Sequence, residues 1–180
     1  MSSAGDSERE VWYHGTGAEA GSRAIFVEDE DGTPTGLLRH VPRHSPTGMS
    51  WGYQGSGPAD TARSLLIAVL GDDASCRACR GTRKVTYDPQ QEEHEPRPYD
   101  PGRDPADHAD GGLHVSRCWH CDDGYRRLPY QEFKREHVAS WGGEWRMSRS
   151  QILSWLKEHQ QRETGDHPAN IENNEPEAGS

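Results

Sequence analysis

The chain has 180 residues, only 31% of them hydrophobic, and its mean hydropathy is −1.06. This length suits one domain with a small appendage, and the low hydrophobic content predicts that part of the chain is disordered. The longest apolar run, residues 65–70, is too short to cross a membrane, and residues 1–10 lack the features of a signal peptide. We therefore expect a cytoplasmic protein that does not associate with membranes.

The net charge of −10 is unevenly distributed. Residues 1–10 carry −2, residues 88–112 carry −6 and residues 163–180 carry −5, so the remainder is weakly basic. These three acidic segments are also the polar segments that we expect to be disordered or flexible. The overall acidity therefore does not exclude a nucleic-acid partner.

The first part of the chain has the pattern of a small antiparallel sheet. Residues 11–14 and 23–27 are rich in β-branched and aromatic residues, which favours strands. Asp31-Gly32 is typical of a hairpin turn, and residues 36–41 are the predicted return strand. A further short element is predicted at residues 49–53.

One helix is clearly predicted before residue 71. Pro58 suits its first turn, Ser56 or Gly57 suits its cap, Asp60 suits the positive end of its dipole, and Gly71 suits its end. Its apolar residues recur at helical spacing and form one stripe: Ala62, Leu65, Leu66, Val69 and Leu70.

Two more helices are predicted near the C-terminus. Residues 130–140 place Phe133, His137 and Trp141 on one side. The last helix begins with a capping box of Ser148 and Gln151 and ends near residue 162. Its predicted buried residues are Ile152, Trp155 and Leu156.

The four cysteines form two Cys-x-x-Cys pairs: Cys76 with Cys79, and Cys118 with Cys121. Zinc is held by four tetrahedral ligands, and a Cys-x-x-Cys turn supplies two of them, so the pattern predicts one structural Zn2+ site. A dithiol redox function is the alternative. Because four thiolates complete such a site, the nearby histidines, His114 and His120, are not expected to be ligands.

The cysteine pairs lie in a predicted insertion, residues 72–127. Residues 83–87 and 113–117 are predicted to pair as a hairpin, and the acidic, proline-rich residues 88–112 are expected to form a flexible loop. The hairpin and cysteine turns carry a local charge of +5. One interpretation is that this charge contacts a phosphate backbone. The other, which we favour, is that the acidic loop neutralises it. The candidate contacts in this module are Arg80, Arg83 and Lys84.

The loop before the first helix contains Trp-Gly-Tyr-Gln-Gly-Ser-Gly-Pro-Ala at residues 51–59. With Tyr13-His-Gly15 and the segment Trp145 to Leu156, it resembles an uncharacterised family of small actinobacterial and phage proteins. The likeness extends over most of residues 11–71 and 128–158, with the cysteine module as an insertion. It implies an architecture and an actinobacterial or phage origin, but no catalytic residues.

The start of the first helix is also a candidate anion site. Free N–H groups at Ser56 and Gly57 favour a negative ligand, and Arg39 and Arg43 precede them. The alternative, which we favour, is that Ser56 and Asp60 satisfy this helix end themselves. The segment lacks the Gly-Lys-Ser/Thr of a P-loop, and no catalytic set of residues is predicted.

Together these patterns predict an α+β core formed by residues 11–71 and 128–162, in which a small sheet packs against three helices. The favoured function is a zinc-binding accessory protein that binds a protein or nucleic acid. The alternatives are an enzyme or binder of a phosphorylated ligand at residues 55–60, and a thiol redox protein.

Overall fold

The computed structural model describes residues 10–17, 23–88, 96–102 and 114–165. Its main sheet has four antiparallel strands in the order β3-β2-β1-β9. Their bounds are β1 Trp12–Thr16, β2 Ala24–Glu28, β3 Pro34–Leu37 and β9 Trp145–Ser148. The fold is thus the predicted mixture of a small antiparallel sheet and three helices.

Three helices pack with this sheet: α1 Ser56–Leu70, α2 Tyr130–Glu136 and α3 Arg149–Thr164. The predicted apolar stripe of α1 lies in the core with Trp51, Phe133 and Ile152. At the start of α3, the Ser148 hydroxyl accepts from the Gln151 backbone while the Gln151 side chain accepts from the Ser148 backbone, which confirms the capping box.

The described part of the cysteine segment has a second, smaller core around Val85 and the cysteines, and we call residues 72–127 the metal module. Strands β4 Lys84–Tyr87 and β6 His114–Arg117 pair antiparallel, which confirms the predicted hairpin. A short strand, β5 Arg97–Pro98, adds to the free edge of β4. The last two strands of the metal module, β7 Cys121–Asp122 and β8 Tyr125–Arg126, pair with each other over two residues.

Several predicted elements differ from the structure. Strand β9 was not predicted, and the predicted element at residues 49–53 is a loop whose Trp51 is buried. The predicted helix over residues 130–140 is interrupted at His137, which leaves α2 followed by a short 3-10 turn. Strand β3 begins and ends earlier than predicted, and part of the expected flexible loop forms β5.

The predictions of disorder fall largely outside the described residues, which include only residue 10, residues 88 and 96–102 of the loop, and residues 163–165 of the tail. Residues 163–164 belong to α3, so the prediction of disorder is wrong there. Among the described residues, no helix is both long and apolar enough to cross a membrane.

Residue His14 on β1 lies between two carboxylates. Its Nδ1 is 2.6 Å from Glu28 Oε1, and its Nε2 is 2.8 Å from Glu144 Oε1. The hydrogen bond to Glu28 is the main cause that raises the pKa of His14 above 6.5, although burial opposes it.

Because the pKa of His14 is raised on folding, its contribution to stability is complete below about pH 6.5 and is lost as pH rises through the folded-state value. We expect His14→Gln to remove no more than about 1 kcal/mol of this pH-dependent stability, because His14 is partly exposed to solvent and Glu28 keeps its ion pair with Arg146. Urea unfolding at two pH values, one on each side of this range, measures the effect. The matched control is His44→Gln, which removes a histidine whose side-chain partner is the hydroxyl of Tyr130 and not a carboxylate.

Candidate metal centre and its surroundings

The four cysteine sulfurs converge on one point, and all lie within 4.8 Å of one another. Sulfurs from different pairs lie close together: Cys76 to Cys118 at 3.9 Å and Cys79 to Cys121 at 3.8 Å. A tetrahedron with zinc–sulfur bonds of about 2.3 Å has sulfur–sulfur edges of about 3.8 Å. The donor set and its spacing therefore fit a tetrahedral metal ion bound by four thiolates.

Backbone N–H groups are directed at these sulfurs. Burial raises the pKa of Cys76, but donors at Cys79 and Ala78 oppose it and bring the pKa below its ordinary value. Cys118 likewise accepts from the His120 backbone, yet burial raises its pKa to about 12. The backbone thus favours thiolates at a place where burial disfavours charge, and a bound cation removes that conflict.

The two cysteine turns contact each other through Gly124. This residue has a φ of +92°, and a Cβ placed on it would lie 2.9 Å from the carbonyl oxygen of Gly81. Its own carbonyl accepts a hydrogen bond from the Cys76 backbone at 2.9 Å. Glycine at this position lets the two turns approach closely enough to share one metal ion.

Replacing Gly124 with alanine should weaken metal binding by about 5-fold or more, because the left-handed backbone and the close approach together cost about 1–3 kcal/mol. Competition with a chromogenic chelator measures the affinity. The matched control is Gly143→Ala, since a Cβ at Gly143 meets no atom within 4 Å. Equal affinities for both variants and the unmodified chain would contradict this role for Gly124.

A buried arginine joins the metal module to α1. Arg63 is 2% exposed and donates to the backbone carbonyls of Val41, at 3.3 Å, and Asp122, at 3.2 Å. Its guanidinium carbon lies 5.1 Å from the centre of the Tyr125 ring. The Asp122 carboxylate also forms an ion pair with Arg43. The module is therefore fixed to the core through Arg43, which the sequence singled out for another role, and through Arg63, which it did not single out.

The loop that precedes α1 is held by Asp60, which is fully buried. Its carboxylate accepts backbone N–H groups from Arg43, His44 and Ser45 at 2.9–3.1 Å, and lies 3.1 Å from His40 Nε2. Burial opposes ionisation, but these hydrogen bonds bring the pKa of Asp60 below 3.8. Asp60 thus orders this loop, and the prediction that it satisfies the start of α1 is wrong.

The start of α1 is covered by neighbouring side chains. The cap is Gly55, which provides no side-chain hydrogen bond, so the predicted capping by Ser56 or Gly57 is not observed. Ser56 is exposed, whereas Gly57 is buried, and a Cβ on Gly57 would collide with Ser50 Oγ.

The basic candidate residues lie elsewhere, on the loop before α1 and on the metal module. Arg39 and Arg83 line one cleft of about 360 Å3 between these two parts, where Arg83 also pairs with Asp123 at 3.3 Å. Arg80 lines a second cleft beside Tyr99, and Lys84 Nζ is 5.4 Å from that ring. The structure therefore groups the basic candidates around the module and not around Ser56 and Gly57.

Comparison with known proteins gives one family match. Residues 13–84 match the model of a family of unknown function, DUF6166, which covers less than half of the chain. The match includes Cys76 and Cys79 but stops before Cys118 and Cys121, and it does not extend to residues 128–158, where a likeness was also expected. No curated protein and no solved structure matches the chain. The match supports similarity to an uncharacterised family and assigns no activity.

Proposed function

We propose that the chain is a zinc-binding accessory protein whose metal module presents a binding surface for a macromolecule. The observation that carries this proposal is the convergence of all four cysteine sulfurs at tetrahedral spacing. The same module carries basic side chains that have no ion-pair partner among the described residues. Tetrahedral sites with four sulfur ligands are typical of zinc or iron. Zinc is favoured because two Cys-x-x-Cys turns are a common structural zinc arrangement.

The charge distribution supports an interaction role. The acidic residues Asp122 and Asp123 are paired with Arg43, Arg63 and Arg83. Several cations of the module form no ion pair with any described residue: Arg77, Arg80, Arg117, Arg126 and Arg127. Cations on a small module that have no ion-pair partner in the described part of the chain favour an anionic partner.

A structural metal suits an accessory protein better than an enzyme. Four thiolates leave no open coordination position for water or substrate. A dithiol redox function receives less support, because a redox pair needs two sulfurs and here all four converge. The cytoplasmic location and the actinobacterial or phage origin that the sequence suggested remain part of the proposal.

Metal analysis tests the proposal. Protein purified without chelator should contain about one zinc ion per chain, and Cys79→Ser should lower this content sharply, because three remaining thiolates bind zinc more weakly. His120→Ala is the matched control, since its side chain lies outside the sulfur cluster. Metal-free protein with reversibly oxidised cysteines would support the redox alternative, and stoichiometric iron would contradict zinc.

A further inference from the structure

The metal module carries a connected series of aromatic rings, here called the aromatic patch: His114, Tyr87, Trp119 and His120. Adjacent ring centres are 5.8 Å, 5.6 Å and 5.5 Å apart in that order. Trp119 lies between the cysteines of the second pair and is 49% exposed. A large aromatic side chain at the tip of a metal-held turn is in a position to contact a partner.

Trp119 is the exposed member of the tryptophans. Trp51, Trp145 and Trp155 are buried in the core, and Trp12 and Trp141 are partly buried. Tyr87 meets Trp119 edge to face at an interplanar angle of 86°. This contact supports the indole from one edge, and nearly half of its surface is open to solvent.

Basic side chains accompany the aromatic patch. Arg127 Nη2 lies 3.3 Å from the Trp119 carbonyl oxygen, and Arg117 precedes Cys118 at the end of β6. Neither has an ion-pair partner among the described residues. Proteins that bind single-stranded nucleic acids without sequence preference combine aromatic rings, which stack on the bases, with basic side chains.

We infer that the aromatic patch, with Arg117 and Arg127, binds single-stranded nucleic acid, with Trp119 stacking on a base. This inference rests on the proposed function, and it names the partner. A single strand fits better than a duplex, because the faces of paired bases are covered by their neighbours in the stack. A single strand also fits the aromatic patch better than an acidic protein segment does. An acidic segment would form ion pairs with the arginines but would not use the exposed rings.

Fluorescence anisotropy with a labelled oligothymidine of about 15 nucleotides tests the inference at low salt. The single strand should bind more tightly than a duplex of the same length, and Trp119→Ala should weaken binding at least about 5-fold. Trp119→Phe should retain most of the affinity, since it keeps a stacking ring. The matched control is Tyr53→Ala, because Tyr53 is also 49% exposed but lies at the start of α1.

Salt dependence tests the basic residues separately. Arg117→Ala and Arg127→Ala should each lower the slope of log affinity against log salt by about 0.7, the value for one phosphate contact on a single strand. Lys157→Ala, an exposed cation on α3, should leave the slope unchanged.

Three results would overturn the inference: no binding of the oligonucleotide at low salt, equal affinity for the duplex, or insensitivity to Trp119→Ala. Weaker binding by Tyr53→Ala alone would locate the contact at the start of α1 and would also overturn it. Zinc content is measured on every variant. A normal zinc content in a chain that does not bind the oligonucleotide would contradict this inference alone. Absence of zinc from the unmodified chain would contradict the proposed function.

Discussion

Replacing Asp60 with alanine should lower the free energy of unfolding by about 3–5 kcal/mol, the range for removing one partner from a buried charged network. The variant leaves the buried backbone N–H of Ser45 and the partly buried backbone N–H groups of Arg43 and His44 without their acceptor. Each unsatisfied donor costs about 1–3 kcal/mol, although the loop regains part of this by opening to water. Urea denaturation followed by tryptophan fluorescence measures the loss.

Two further variants make this prediction specific. Asp60→Asn should cost less than alanine, because an amide oxygen in place of Oδ2 keeps the acceptor that Arg43 and Ser45 share. Asp73→Ala, at an exposed aspartate beyond α1, should stay within about 0.5 kcal/mol of the unmodified chain. Equal losses for the Asp60→Ala and Asp73→Ala variants would contradict the role of Asp60.

The pH dependence of stability gives a second test of Asp60. Its pKa is lowered on folding, so its contribution is present above the ordinary value of 3.8 and is lost as pH falls through the lower folded-state value. Acid unfolding of the unmodified chain should therefore include this loss below pH 3.8. In Asp60→Asn, which cannot ionise, this part of the acid dependence should be missing.

Much of the fold could be predicted because its elements depend on local sequence. The apolar stripe of α1, the capping box of Ser148 and Gln151, and the hairpin of β2 and β3 follow from patterns within a few residues. Strand β9 could not be predicted this way. It has four residues, and its pairing with β1 brings Ser148 opposite Trp12 from the other end of the chain.

The residues of the candidate site also divide into those that the sequence predicted and those that it did not. The cysteine ligands were predictable because Cys-x-x-Cys places two donors on one turn. The contacts of Asp60 and Arg63 were not, because a buried charge is defined by partners that are distant in sequence. One sequence feature does point to them: these are the only charged residues among the 15 residues of α1. A helix with so few charges is largely buried, so its charged residues need internal partners.

Replacing Arg63 with alanine should detach the metal module from α1 and lower the free energy of unfolding by about 3 kcal/mol. The variant removes the donors to Val41 and Asp122 and leaves the Tyr125 ring without its cation. It also leaves a cavity where a long buried side chain lay. Because the module has its own small core around Val85 and the cysteines, the sulfurs should stay together while their support weakens.

Two measurements separate this outcome from general unfolding. Hydrogen exchange should increase most in residues 72–88 and 114–127, and zinc should transfer faster to a chelator, while the exchange of β1 and β2 changes less. Arg63→Met fills the cavity but does not restore the hydrogen bonds. Recovery of stability by this variant would therefore assign the effect to packing and not to the polar contacts. Arg135→Ala, at an exposed helical ion pair with Glu132, should change stability by less than about 0.5 kcal/mol. If exchange in Arg63→Ala increased uniformly over the chain, Arg63 would be a general core residue and not the link between α1 and the metal module.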